Sequence, residues 1–190
     1  MKSVTIKILI GLSLVFANTF AMADEIKDSL IAMAKNEVQG WLSNDIVINN
    51  VKAQNAKNKG MSEADIISLD KQWRAETSAS SQPLISKVLG TELSSYLAGV
   101  KENSAGVYTE IFVMDAAGLN VGQSDVTSDY WQGDEAKWQK TYQVGPKAYH
   151  ISEVEMDESS QQLQVQLSLP VVENSIVIGA VTIGINVDAL

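Results

Sequence analysis

The strongest constraint on the fold is a strict alternation of apolar and polar residues between positions 163 and 171. Leucine or valine occupies every second position, at Leu163, Val165, Leu167, Leu169 and Val171, with Gln164, Gln166 and Ser168 between them. Successive side chains of a β-strand point to opposite faces, so this pattern predicts a strand with one buried face and one more polar face. The chain must therefore build a sheet that is covered on at least one side.

Similar patterns predict further strands in the second half of the chain, at residues 107–115, 119–124, 151–156 and 177–187. Asp115-Ala116-Ala117-Gly118 is typical of a tight turn between the first two of these strands. Further turns are expected at residues 157–161 and 173–175. Residues 125–142, called the insert below, lack strand alternation and predict a loop with a short helix.

The first half of the chain has helical patterning. Apolar residues recur at three- to five-residue steps between positions 25 and 42, which predicts a long amphipathic helix. Ser62 is expected to cap a second helix, and Pro83 suits the first turn of a third. We expect the polar residues 44–60 to form a loop, with a short extended piece at 46–51. The predicted fold class is therefore α+β, with an antiparallel sheet of about five strands and helices against it.

The N-terminus has the three parts of an export signal. Lys2 and Lys7 give a positive start, residues 8–20 are mostly apolar, and Ala21-Met22-Ala23 fits a cleavage site. We expect cleavage after Ala23 and a periplasmic location, with an uncleaved membrane anchor as the alternative. The predicted organisation is a signal peptide at 1–23 and one domain at 24–190, helical over 24–106 and sheet-forming over 107–190.

Composition excludes several classes of function. The chain has 23 Asp+Glu against 14 Lys+Arg and a net charge of −9, which argues against nucleic acid as a partner. It has no cysteine and one histidine, so thiol catalysis and a multi-histidine metal site within one chain are excluded. No nucleophile elbow and no phosphate-binding glycine loop occurs. We therefore predict a protein that is not an enzyme and that needs no cofactor or metal; His150 is interpreted as a lone histidine at a strand edge.

Three segments follow one another in a recognisable order. The first segment, Phe112 to Ser124, consists of a strand, an Asp-x-x-Gly turn and a second strand that ends in Ser124. The second, Asp129 to Trp138, is an insert rich in aromatic residues. The third is a closing hairpin, in which Pro170-Val171-Val172 and Ile178 to Ile185 are joined by a turn. Together they resemble the extracytoplasmic PAS-like sensor family, the single Cache domain. The resemblance implies a PAS-like sheet with a pocket for a small polar molecule, such as an amino acid, an amine or an organic acid. It further implies that a stand-alone domain would pass its occupancy to a membrane receptor or kinase, and a homodimer through the N-terminal helix is a further expectation.

The insert holds the predicted ligand-binding residues, which are Asp129, Tyr130, Trp131, Asp134, Trp138, Lys140 and Tyr142. Their rings offer flat apolar walls, and the aspartates could pair with an ammonium group that the rings also attract. Lys140, or Lys137, could instead pair with a carboxylate. The alternative is that Trp131 and Trp138 only hold a long loop against the sheet.

The leading hypothesis is thus a periplasmic sensor-like domain that binds a small polar molecule without catalysis. The competing hypothesis is an interaction or scaffold protein of the same fold, whose pocket is filled by its own side chains.

Overall fold

The computed structural model describes residues 25–156 and 163–190. The predicted signal peptide and the predicted turn at 157–161 lie outside the described residues. Within these ranges, helices fill the first half of the chain and strands dominate the second. The predicted α+β class is confirmed.

The strands form one antiparallel sheet. Their bounds are β1 Tyr108–Met114, β2 Asn120–Gln123, β3 His150–Ile151, β4 Glu155–Met156, β5 Leu163–Glu173 and β6 Ile176–Asn186. The order across the sheet is β2-β1-β6-β5-β3, and β4 also pairs with β5. The two long strands β5 and β6 thus lie at the centre and form the closing hairpin.

The prediction of one continuous strand at residues 151–156 is wrong, because this segment is divided into β3 and β4. Ile151 pairs with Leu167, and Glu155 pairs with Gln164. The chain therefore advances four residues on the β3–β4 side while it advances three on β5. The hydroxyl of Ser152 accepts the Gln166 backbone N–H at 2.9 Å, where a regular ladder would use a carbonyl. This extra residue interrupts the strand, as in a β-bulge.

The described helices are α1 at residues 25–42, α2 Asp45–Lys57, α3 Glu63–Glu76, α4 Pro83–Leu89, α5 Glu92–Asn103 and the short α6 Ala136–Gln139. The middle of α1 is a π-helical stretch, Ala34–Val38. Ser62 caps α3 in a capping box with Asp65, and Pro83 begins α4, as the sequence predicted. Among the described residues, no helix has both the length and the apolar character needed to cross a bilayer.

The predicted loop at residues 44–60, with its extended piece, is wrong because this segment contains helix α2. The Asn44 side chain accepts the Ile46 N–H and caps the helix. Val47, Ile48 and Val51 are buried and form a narrow apolar stripe. Three core residues hold an otherwise polar helix against the sheet, and tertiary packing decides its structure.

The two faces of the sheet differ in chemistry. Toward α1, α2 and α5 the strands present aliphatic side chains, among them Ile111, Val165, Leu167, Val181 and Ile183, in the main core. Toward the insert they present a mainly polar set that includes Glu110, Gln164, Gln166, Ser168 and Thr182. A second apolar cluster joins Trp73 of α3 and Ile85 of α4 to Tyr130 of the insert. The polar face is therefore roofed by a segment that is itself held in place by α3 and α4.

Candidate functional site

A cavity of about 820 Å³ lies between the polar face of the sheet and the insert. We call it the polar cavity. Its floor is formed by Thr109, Glu110 and Phe112 of β1 with Gln164 and Gln166 of β5. The insert forms one wall, and residues 150–156 form the other. The volume lies within the range of small-molecule sites.

The floor is organised by a row of residues across three strands. Glu110 of β1 and Gln166 of β5 both pair with Gly184 of β6, which lies between them. Because Gly184 has no side chain, the Gln166 amide reaches over it and donates to Glu110 Oε1 at 3.1 Å. Gln164 donates to the same oxygen at 3.2 Å and accepts from the Thr109 hydroxyl at 2.8 Å. An added Cβ at position 184 would come within 2.8 Å of Gln164 Nε2 and Glu110 Cγ, so the glycine makes this arrangement possible.

Glu110 is the central charge of the cavity. Burial raises its pKa, and this effect outweighs the opposing hydrogen bonds of Gln166 and Gln164 and the attraction of Lys137. Two neutral amides hold the carboxylate, and it forms no ion pair within residues 25–156 and 163–190. A desolvated carboxylate with neutral partners is well suited to receive a cationic group.

Three of the other charged groups of the wall, Asp125, Glu135 and Lys137, are already paired, and the fourth, Glu155, is an exposed carboxylate. Both oxygens of Asp125 accept from Lys101, at 2.6 and 2.7 Å. Lys137 lies 3.0 Å from Glu135 Oε2 and 5.3 Å from the centroid of the Phe112 ring. The charges that remain therefore favour a positive ligand over a negative one.

The roof contributes a free acceptor. Gln132 lines the cavity and is 2% exposed, and its amide nitrogen donates to the Asp129 carbonyl at 3.0 Å. Its Oε1 atom has no hydrogen-bond partner in the part of the chain that the structure describes. Buried polar atoms are normally paired, so this oxygen is an acceptor in the roof that lacks its usual partner.

His150 lies on the opposite wall, at the start of the edge strand β3. Burial lowers its pKa, and the positive charges of Lys140 and Lys137 lower it further. The imidazole is therefore neutral at neutral pH and adds hydrogen-bonding capacity to the wall without adding charge.

Tyr130, Trp131 and Asp129, all predicted to bind ligand, anchor the insert to α3 in this structure. The Tyr130 and Trp131 backbone N–H groups both donate to Asp70 Oδ1 at 3.0 Å. The Tyr130 ring stacks on Trp73 at 5.3 Å, and burial raises the Tyr130 pKa to about 12, with a smaller effect from a nearby acidic group. Asp129 pairs with Arg74 at 2.6 Å, and Arg74 also bonds Asp70.

Trp131, Trp138 and Tyr142 bind the insert to the β1–β2 hairpin. The Trp131 indole N–H donates to the Ala117 carbonyl at 2.9 Å, and that of Trp138 donates to the Asp115 carbonyl at 3.1 Å. Trp138 stacks on Tyr142 at 4.7 Å and packs against Phe112. These contacts agree with the alternative in which the two tryptophans hold the loop against the sheet.

The predicted residues that remain are Asp134 and Lys140, and both are exposed. Lys140 lies near enough to His150 to influence its titration. None of the seven predicted residues is among the described residues that line the polar cavity, and whether any of them touches a ligand stays a prediction. The lining comes instead from their neighbours in the insert, such as Gln132 and Lys137, and from the strands.

Sequence reasoning missed Glu110, Gln132, Gln164 and Gln166. A signal existed in two of the strands. Glu110 is the one charged residue of β1, and the two glutamines occupy the second face of the best-patterned strand. The alternation alone predicted the polar face of β5, but it did not indicate which segment covers that face. The convergence on Gly184 depends on pairing across three strands, which no local pattern contains.

No family model matches the chain, and no curated protein matches it. Solved structures similar to it include sensor domains and ligand-binding domains. The histidine kinase DctB sensor domain of V. cholerae is 12% identical with a TM-score of 0.46, and the match covers 95% of this chain and 59% of that one. The ligand-binding domain of the Pseudomonas aeruginosa amino acid chemoreceptor PctC, in complex with GABA, is 13% identical with a TM-score of 0.47, covering 92% and 60%.

The ligand-binding domain of the Campylobacter jejuni chemoreceptor Tlp3 with L-valine is 11% identical with a TM-score of 0.38, covering 96% of this chain and 65% of that one. This chain thus spans about six tenths of the length of these structures. At these identities the likeness concerns the fold, and the function is assigned below from the polar cavity itself.

Proposed function

We propose that this protein is an exported sensor domain that binds a small polar molecule in the polar cavity, without catalysing a reaction. The observation that carries the proposal is the row Glu110–Gly184–Gln166, in which a missing side chain lets a glutamine amide steady a desolvated carboxylate on the cavity floor. A scaffold with a self-filled pocket would not need an 820 Å³ space lined by such groups. Amino acids and amines are the ligand classes that this arrangement favours.

Three groups would share the recognition of the ligand. Glu110 would receive the ammonium, Gln132 Oε1 would accept a further hydrogen bond, and Phe112 would provide an apolar surface. For an amino acid, Lys137 is the cation available for the carboxylate, at the expense of its pair with Glu135. Export is proposed from the predicted signal peptide, and a membrane receptor or kinase is the proposed recipient of the signal.

The proposal is tested by thermal shift and calorimetry with amino acids, linear amines and organic acids. A ligand that binds only the folded state at 100 times its dissociation constant stabilises it by about 2.7 kcal/mol, which a melting curve resolves. We expect a compound that carries an ammonium group to raise the melting temperature of the wild type, and we expect this increase to disappear in Glu110→Gln. This variant keeps the shape of the side chain and an acceptor for Gln164 and Gln166.

Asp188→Asn is the matched control, because Asp188 is an exposed carboxylate in the C-terminal turn and does not line the cavity. Stabilisation only by organic acids would reverse the charge assignment but keep a binding function. Flat melting curves across all three compound classes would favour the scaffold hypothesis.

A further inference from the structure

A second cavity lies on the opposite, apolar face of the sheet. This groove of about 510 Å³ runs between α1, the loop at residues 146–149 and β5. Its lining includes Ile31 and Leu42 of α1, Leu169 and Val172 of β5, and Tyr149 of the loop. We call it the apolar groove. Tyr149 is 46% exposed, while Leu42 and Leu169 each keep 5% of their surface exposed.

The charge of the groove is opposite to that of the protein. The chain carries 23 Asp+Glu and 14 Lys+Arg, yet the charged residues among the described lining are Lys35 and Lys147, with no carboxylate. Neither lysine forms an ion pair within residues 25–156 and 163–190. A positive rim on an acidic protein is a local site of attraction for an anion.

The backbone of α1 is irregular where it lines the groove. Ala34 and Lys35 are the first residues of the π-helical stretch Ala34–Val38, and both belong to the lining. Single-turn π segments add a residue to the helix and frequently occur at functional sites. Ala34 on α1 and Ala148 on the loop both belong to the lining, and their short side chains occupy little of the space between these two elements.

We propose that the apolar groove binds an anionic amphiphile, namely a carboxylate with an unbranched alkyl chain of medium length. The alkyl chain would lie against Ile31, Leu42 and Leu169, and the carboxylate would pair with Lys35 and Lys147. The volume suits a small molecule. A stable protein partner would need about 800 Å² of contact on each side, more than a groove of this size supplies by itself.

The test uses the full chain and calorimetric titration with decanoate below its micellar concentration, with decanol and decyltrimethylammonium as head-group controls. We expect decanoate to bind, decanol to bind more weakly and the cation not to bind. In the series hexanoate, octanoate and decanoate, each added methylene should tighten binding by about twofold to fourfold, since its burial contributes up to about 0.8 kcal/mol. Equal binding of decanoate and decanol would overturn the role of the lysines.

Substitutions of lining residues test whether the ligand binds in the groove. Lys35→Gln and Lys147→Gln should each weaken decanoate binding by about two- to fivefold, the range of a solvent-exposed ion pair, and leave decanol unchanged. Lys59→Gln is the matched control, because Lys59 is exposed and does not line the groove. Ala148→Phe fills the groove and should abolish binding.

A circular dichroism spectrum would establish that the Ala148→Phe variant is folded. If the folded variant binds decanoate as the wild type does, the ligand lies elsewhere and the proposal fails. Sedimentation velocity adds a separate check: a ligand-independent dimer that Ala148→Phe dissociates would make a second copy the occupant and would also overturn the proposal. Glu110→Gln should not affect decanoate, so this result is independent of the polar cavity.

Discussion

Removal of the Asp70 carboxylate should open the insert without unfolding the sheet. Asp70 Oδ1 accepts the backbone N–H groups of both Tyr130 and Trp131 at 3.0 Å, and Tyr130 is only 6% exposed. In Asp70→Ala both donors lose their acceptor. A buried donor left without a partner costs about 1–3 kcal/mol, and we take about 1.5 kcal/mol for each because Trp131 is half-buried.

The expected loss is therefore about 3 kcal/mol, localised at the insert, which corresponds to about a hundredfold larger opening constant. Amide hydrogen exchange with mass spectrometry measures this opening directly. In Asp70→Ala, peptides within residues 125–142 should exchange about a hundredfold faster than in the wild type, and the exchange of β5–β6 peptides should increase by a smaller factor. Asp70→Asn keeps an oxygen acceptor and should have a smaller effect.

Arg74→Gln is the control for the ion pairs. Its side chain is 56% exposed, so losing its contacts with Asp70 and Asp129 should change stability by less than about 1 kcal/mol. If Asp70→Ala leaves the exchange of residues 125–142 unchanged, or if Arg74→Gln accelerates it as much, the two backbone hydrogen bonds do not hold the insert.

Three further outcomes are expected. Glu110→Gln should stabilise the ligand-free protein at neutral pH but not below the ordinary carboxyl pKa of 4.5. The folded-state pKa is raised, so the penalty of ionising Glu110 is absent below 4.5, grows as the pH rises from there, and is fully present above the raised pKa. Equal melting temperatures of variant and wild type at pH 7 would contradict this. Gly184→Ala should remove ligand binding in the polar cavity and lower the unfolding free energy by about 1–3 kcal/mol, because the added Cβ would overlap the Thr109 hydroxyl, Glu110 Cγ and Gln164 Nε2. Unchanged affinity in calorimetry, measured beside urea melts, would contradict this. Trp73→Phe should lower stability by about 2–3 kcal/mol in urea melts, because the fully buried indole loses volume and its 2.8 Å bond to the Thr127 carbonyl, whereas a loss under 1 kcal/mol would show that the second cluster contributes little.

The fold could be predicted from the sequence where one local pattern determined one element. Strand β5 and the β1–β2 hairpin were predicted because side-chain alternation and turn residues act over a few positions. Helix α2 was not, because only Val47, Ile48 and Val51 among its thirteen residues are buried. Its stability comes from contacts with strands more than fifty residues away, such as the 2.7 Å hydrogen bond from the Asn55 amide to the Ile178 carbonyl of β6.

The candidate site was located only in part. The aromatic residues of the insert attracted attention because rings commonly line pockets, yet Trp131 and Trp138 direct their indole N–H groups to hairpin carbonyls. Their neighbours Gln132 and Lys137 face the polar cavity instead. Which side of an irregular segment faces a cavity depends on anchors such as Asp70, and these lie far away in sequence.

The pairing register of β5 with β6 has a consequence for how the chemistry of the polar cavity can change. The same register places Leu167 opposite Ile183 in the core and Gln166 opposite Gly184 under the polar cavity. A shift by one residue would exchange the two sets, putting amides into the aliphatic layer and leucines beneath the cavity. The lining can therefore change by replacement of single floor side chains, whereas insertion or deletion within either strand would destroy the cavity together with the fold.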